Sequence, residues 1–309
     1  MGRKRKHGDG LRSTDRIADK LVAMLKREAG RRVVNIKNFI AGRAIADELQ
    51  KTVVTKEALA DFHPAHAAYV YAQNQVSVMS EQLTALDVMA PFVDIVSQAE
   101  DLYMPSGPPI SPLTPSYYTS WAFFDACVEP GAQTIGAIIL QVGAVFGMDT
   151  ELLRVMRLMQ ESRMGLYVHD GTDGSLTVLR ELATGVVRRA IVPSGYRGQR
   201  GELWYARLLP PPFPDGSEHV VFTTPYILLE PPLPEWQAYF HRTLPEGSPQ
   251  ARLDAYERHM KYGPTRAYWN GFVFEGYVNH RTEAIYLAGL PDVPESRPHS
   301  KWAYDQENL

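Results

Sequence analysis

The stretch Pro193 to Gly201 (PSGYRGQRG) alternates glycine with Tyr196, Arg197 and Arg200. Glycine lets a backbone approach a ligand closely, and an arginine fork matches phosphate or carboxylate in bidentate fashion. A tyrosine beside them can stack on a base. These three side chains are the leading ligand-binding candidates, with an anionic group as the expected ligand. A soluble turn carrying two arginines is the plainer reading. The glycine spacing matches neither the P-loop nor the dinucleotide fingerprint.

A second concentration of chemistry lies between Tyr262 and Glu283, where Arg266, Tyr268, Trp269, Asn270, Glu275, Tyr277, His280 and Arg281 occur together. Glu275 and His280 are the candidate acid and base of a catalytic site. Aromatic walls with a few polar groups are also how small-molecule pockets are lined. The plainer account is an aromatic core rimmed by ion pairs.

Other patterns are weaker. His63 and His66 have HxxH spacing with Asp61 nearby, but Pro64 puts His63 at or before the helix start, no HExxH pattern is present and a third ligand is only conjectural, so no metal site is expected. His169 and Asp170 are neighbours in an extended run and point to opposite faces, so they do not pair with each other. The aspartates after them lack the spacing of a calcium loop. Ser106, Ser111 and Ser116 have no nucleophile elbow around them. The lone cysteine, Cys127, lies among apolar residues without an activating partner and excludes any intrachain disulfide. No pattern calls for a cofactor.

Charge adds a different clue. Residues 1 to 56 hold 15 Lys and Arg against 6 Asp and Glu, whereas the remainder holds 17 against 29. Arg3, Lys4, Arg5 and Lys6 would neutralise phosphates, so nucleic acid or an acidic protein is the expected partner. No apolar run follows them, which argues against a secretory signal and for a cytoplasmic location. The most apolar stretch, Thr134 to Met148, is interrupted by glycines and Gln141 and is too short for a bilayer core of roughly 30 Å.

The elements that position these groups follow from periodicity. A helix is expected after Thr14, with Ile17, Leu21, Met24 and Leu25 on one side and Gly30 closing it, and another within Val34 to Gln50. From Pro64, residues Tyr69, Ala72, Val76, Met79, Leu83, Leu86, Ala90 and Val93 step by three and four, a seam expected to pack within the chain and to break at Pro91. The proline-rich segment 104 to 115 reads as a crossing. A buried helix covers 134 to 148, and an amphipathic one follows a cap at Asp149 or Thr150. Five strands are expected at Leu166 to His169, Ser175 to Leu182, Val186 to Val192, Glu202 to Leu209 and His219 to Leu229, separated by glycine turns. Helices return at Glu235 to Arg242 and Gln250 to Tyr262, with helix favoured for 265 to 290 and a loose tail from Pro291.

The fold class expected is therefore α+β: a flexible basic arm over 1–12, a helical region over 13–163, a small antiparallel β module over 164–232 forming a meander or barrel, and a helical C-terminal part over 233–309. The functional expectation is a non-enzymatic binding or regulatory protein. An enzyme using Glu275 and His280 is the alternative. A structural component of a larger assembly, using the 69 to 93 stripe, is the third reading.

Overall fold

A computed structural model describes residues 16–30, 48, 51–55, 57–104, 113–128 and 131–298. The basic arm with Arg3, Lys4, Arg5 and Lys6, all but residue 48 of the helix expected within 34 to 50 and most of the proline-rich crossing lie outside these residues.

Helix α1 (Ile17–Ala29) begins with Arg16 at the cap position, which offers no side-chain acceptor. Its first turn is satisfied from afar instead, by the Gln133 Oε1 that accepts from the Ala18 N–H at 3.1 Å. Helix α2 (Pro64–Thr84) has Pro64 in its first turn and His63 as cap, with the ring nitrogen accepting from the Ala65 N–H. Tyr69, Ala72, Val76 and Leu83 of the predicted stripe are buried in the chain's own core. The stripe does not run through to Val93. Helix α2 ends at Thr84, a single 3₁₀ turn follows, and Pro91 sits in the first turn of helix α3 (Ala90–Tyr103), which it helps to start rather than to break.

Helix α4 (Pro115–Phe124), capped by Thr114, was not expected from the sequence; it carries the SYYTSW residues, which pack inward at Tyr117, Ser120 and Trp121. A short hairpin, β1 (Cys127–Val128) with β2 (Gln133–Thr134), leads to helix α5 (Ile135–Val145). Thr134 caps α5, and Ile135, Ile138, Ile139 and Val142 are buried. Helix α6 (Thr150–Glu161) is capped by Asp149, whose carboxylate accepts from the Leu152 N–H. Among the described residues no helix is long and apolar enough to cross a membrane.

The β region follows the five predicted runs. Strands β3 (Met164–Asp173), β4 (Leu176–Glu181), β5 (Val187–Ile191), β6 (Leu203–Leu209), β7 (His219–Val221) and β8 (Tyr226–Glu230) are all present. Strands β7 and β8 are the two halves of one predicted run, both pairing with β6 and separated by a break over 222–225. The ring order is β3-β4-β5-β7-β6 and back to β3, so the module closes as a five-stranded barrel. All its pairings are antiparallel except β5 with β7. Alternation along the strands then separates two surfaces. Tyr167, Leu179, Ala190, Trp204, Ala206, Leu208 and Val221 fill the interior. Leu166, Val168, Leu203 and Tyr205 face outward into an aromatic core shared with the C-terminal elements.

That C-terminal part is not purely helical. Helices α7 (Leu233–Thr243) and α8 (Pro249–Tyr262) are followed by α9 (Tyr268–Glu275), and then by β9 (Tyr277–His280) and β10 (Ile285–Ala288). The helix favoured for 265 to 290 is thus corrected: only its first third is helical. Ile285 and Leu287 alternate into the core beside β8, and β10 joins that strand in parallel, extending the barrel wall into an eight-stranded sheet. The tail is tied down as far as it is described. Arg297 is buried, donates to the Leu290 and Pro291 carbonyls and pairs with Glu275.

One polar cluster ties these layers together. Arg207, on the outward face of β6 and 2% exposed, pairs with Asp125 at the end of α4 and donates to both Ser162 oxygens at 3.1 Å. Lys261 of α8 lies 3.5 Å from the same carboxylate and donates to the Ser162 carbonyl at 2.9 Å. Burial pushes the Lys261 ammonium down to about 8, against the opposing pull of Asp125. Removing Asp125 leaves two buried cations without their counter-charge. Asp125→Ala is expected to destabilise by about 3–5 kcal/mol, measured as the shift in urea midpoint at constant m-value; a loss below about 1 kcal/mol would contradict this account.

Candidate functional site

The loop joining β5 to β6 closes one end of the barrel, and it is held by side chains from the strands. His169 on β3 is 2% exposed and its ring lies 5.3 Å from that of Trp204. Its Nδ1 accepts from the Gly171 N–H at 3.2 Å, which leaves Nε2 to carry the proton and donate to the Arg197 carbonyl at 2.9 Å. The His169 carbonyl accepts from the Gly201 N–H, and the Glu202 carbonyl accepts from the His169 N–H. One residue therefore holds the middle and the C-terminal end of the arginine loop.

Tyr196 points inward. Its ring sits 5.4 Å from Trp204, and its hydroxyl donates to the Glu202 carboxylate at 3.1 Å. The Trp204 indole N–H donates to the same carboxylate at 3.1 Å. Burial, reinforced by neighbouring Tyr286 and Glu202, raises the Tyr196 phenol well above its ordinary range. The structure thus gives Tyr196 a packing role and presents its ring to Trp204 rather than to solvent. Arg197 and Arg200 are exposed, with Arg200 Nε donating to the Asp170 carbonyl at 2.9 Å.

Two further arginines join them, and strand alternation was the signal that could have found them. Arg180 pairs across the ladder with Val187, and Arg189 with Val178, so both arginines stand on the outer face of β4 and β5. Arg180 holds the Asp170 carboxylate through two bonds of 2.8 and 3.1 Å, and Arg189 lies 3.0 Å from Asp173. His169 and Asp170 do face opposite ways, one into the barrel and one onto this arginine face. Residues 176 to 201 contain five arginines and a single acidic residue, Glu181.

The opposite end of the barrel is also charged. Arg163 pairs with Glu181 at 2.8 Å beneath the Tyr256 ring, and these line a cavity of about 250 Å³ with Tyr167, Arg188 and His219. Burial, followed by the charge of Arg188, pushes the His219 imidazole down to about 4. Its Nδ1 is buried without a hydrogen-bond partner.

The remaining candidates are dispersed. Glu275 pairs with Arg297, whereas His280 is exposed on β9 and shares a 2.6 Å hydrogen bond with Tyr277. The expected acid and base therefore have separate partners. His66 stacks on Phe62 at 4.9 Å and His63 caps α2, so the HxxH pair is used in packing. Among the described residues no three metal-ligating side chains converge. Cys127 is half-buried at the β1 hairpin.

Two expectations follow. Gly198 has φ +63°, and a Cβ there would lie 2.6 Å from the Trp204 ring and 2.8 Å from Glu202, whereas Gly195, at φ +83°, faces open space. Gly195→Ala should cost about 1–2 kcal/mol of backbone strain, and Gly198→Ala more than that with a shift in tryptophan emission; equal costs would show that the loop is not seated on Trp204. The His219 imidazole stays neutral in the fold down to about pH 4, while the unfolded residue protonates near 6.5. Its contribution is complete above about 6.5 and is lost as pH falls toward 4. Urea midpoints at several pH values should therefore decline over that window, and less steeply in His219→Gln.

Compared with protein-family models, curated proteins and solved structures, the chain matches none of them.

Proposed function

We propose that this is a binding protein whose barrel engages a polyanion, with single-stranded nucleic acid as the ligand class, through Arg180, Arg189, Arg197 and Arg200. The observation that carries this reading is the pinning of the loop by His169. Arginine side chains on a mobile loop lose conformational entropy on binding, whereas a backbone already held in place loses less. Arg197 and Arg200 stand on such a backbone, adjoining the arginine face of β4 and β5.

Analogy of architecture adds support of a weaker kind. Small five-stranded Greek-key barrels often bind oligonucleotides or oligosaccharides on the face of their second and third strands. Strands β4 and β5 hold those positions in this ring. Asp170 and Asp173 hold Arg180 and Arg189 in the unbound protein, orienting the guanidinium groups and reducing attraction for unrelated anions. The basic residues Arg3 to Lys6 would add phosphate contacts without sequence preference. The enzyme reading is disfavoured because Glu275 and His280 are committed to Arg297 and Tyr277.

The test is binding of labelled single- and double-stranded oligonucleotides across a salt series, using the full chain, a version lacking residues 1 to 12, and Arg197→Ala/Arg200→Ala. Affinity should fall linearly on a log–log plot against salt, with the slope reduced by about one for each arginine that contacts a phosphate. Absence of binding near physiological salt, or a slope unchanged in the double variant, would overturn the proposal.

A further inference from the structure

At the end of the barrel opposite the arginine loop, each of the five strands sends one residue to the cavity of about 250 Å³: Tyr167 from β3, Glu181 from β4, Arg188 from β5, Leu208 from β6 and His219 from β7. The register explains this. Glu181 stands across the ladder from Tyr167, Arg188 from Leu179, His219 from Ala190 and Leu208 from Val221, and each of those partners belongs to the barrel interior. All five side chains therefore lie on inward-facing rows, and the cavity is the mouth of the barrel, a place where small ligands are commonly held. Leu158 and Glu161 from the end of α6, together with Pro210, contribute to its rim. The site shares no residue with the arginine face and is independent of the reading above.

Its charges are not all compensated in place. Glu181 is taken up by Arg163 at 2.8 Å, by the Thr184 hydroxyl at 2.7 Å and by the Tyr256 hydroxyl at 3.3 Å, while Glu257 stands 3.9 Å from Arg163. Arg188 is half-buried and makes no hydrogen bond or ion pair, and Glu161, exposed on the same lining, makes none either. Two opposite charges thus share one cavity without meeting. A half-buried guanidinium has lost part of its hydration and regains it best from a bidentate carboxylate. A simple anion seated there would face Glu161 and Glu257, and a simple cation would face Arg188 and Arg163. A molecule that carries both signs satisfies the two free charges and escapes both repulsions. The carbonyl end of α6 adds attraction for a cation beside Glu161. Burial, followed by the charge of Arg188, keeps His219 neutral down to about 4, so it adds no further positive charge at neutral pH.

We propose that the barrel mouth binds a free α-amino acid with an aliphatic side chain, its carboxylate on Arg188, its ammonium on Glu161 and its side chain against Leu158, Leu208 and Pro210. The volume agrees with a ligand of that size, since it falls below the roughly 300–1,000 Å³ of pockets that take drug-sized molecules. Both charges belong to the free amino acid alone, because a residue inside a peptide has neither. Arg188 thereby differs in task from its neighbour Arg189, which strand alternation turns to the outer face.

L-leucine is the probe, with 4-methylpentanoate as the analogue that lacks the ammonium and leucinamide as the one that lacks the carboxylate. Titration calorimetry on the full chain at neutral pH should give saturable binding of L-leucine with Kd below about 1 mM, and each analogue should bind about tenfold or more weakly. Arg188→Gln should weaken L-leucine by about tenfold or more and leave leucinamide unchanged, because it removes only the carboxylate's partner. Glu161→Gln should weaken L-leucine by a similar factor and leave 4-methylpentanoate unchanged or tighter. Because residue 161 is exposed, this second variant keeps the test valid if Arg188→Gln fails to fold. No saturable heat from L-leucine up to about 10 mM, an analogue that binds as tightly as L-leucine, or L-leucine binding indifferent to Glu161→Gln would each overturn the proposal.

Discussion

The buried carboxylate of Asp125 is the constraint on which the other layers depend. It stands at the junction of α4, β6 and α8, and it is the counter-charge for both Arg207 and Lys261. Desolvating three charges is unfavourable unless each is paired and hydrogen-bonded. The carbonyls of Gln160 and Ser162, just before β3, accept from Lys261, and both Ser162 oxygens accept from one Arg207 terminal nitrogen, while Arg207 Nε and Asp125 Oδ1 are buried without a hydrogen-bond partner. The start of the barrel, its fourth strand, the N-terminal helical layer and the C-terminal helical layer are therefore registered against one another by directional bonds. Hydrophobic contact alone would permit sliding; this cluster does not.

With the outer face of β6 so held, the barrel can be treated as a wall with two different ends. One end is closed by a loop seated on Trp204 and His169, and its exposed groups are arginines. The other is closed by helices and holds the Arg163–Glu181 pair close to His219 and Arg188. The same strand alternation that fills the interior with Leu179, Ala190 and Ala206 places Arg180 and Arg189 outside. Core formation and ligand presentation are thus consequences of a single periodicity.

Where the sequence reading failed, non-local pairing was the cause. Residues 277 to 288 carry aromatic and β-branched residues that suit helix and strand alike, and their strand character is decided by the open edge of β8, over fifty residues earlier in the chain. The Pro91 expectation failed because proline ends one helix and begins another by the same loss of an N–H; which of the two occurs depended on the 3₁₀ turn after Thr84. Tyr196 was read as a stacking residue, but the carboxylate that captures its hydroxyl and the indole that takes its ring come from the start of the next strand, folded back under the loop. The pair Glu275 and His280 showed only that residues close in sequence need not share a partner.

The sequence by itself determined the local elements. Period-two apolar runs between glycine turns placed the barrel strands, and caps such as Thr134 and Asp149 placed the helices, because these depend on bonds within a few residues. It also showed the arginine loop as a feature of composition. Only the tertiary structure decided that the sheet closes, that β10 extends it in parallel, that His169 immobilises the loop, and that Arg188 and Glu161 share a cavity. Each of those outcomes rests on contacts between residues far apart in the chain, whose free energy comes from desolvating both partners at once and therefore has no local signature.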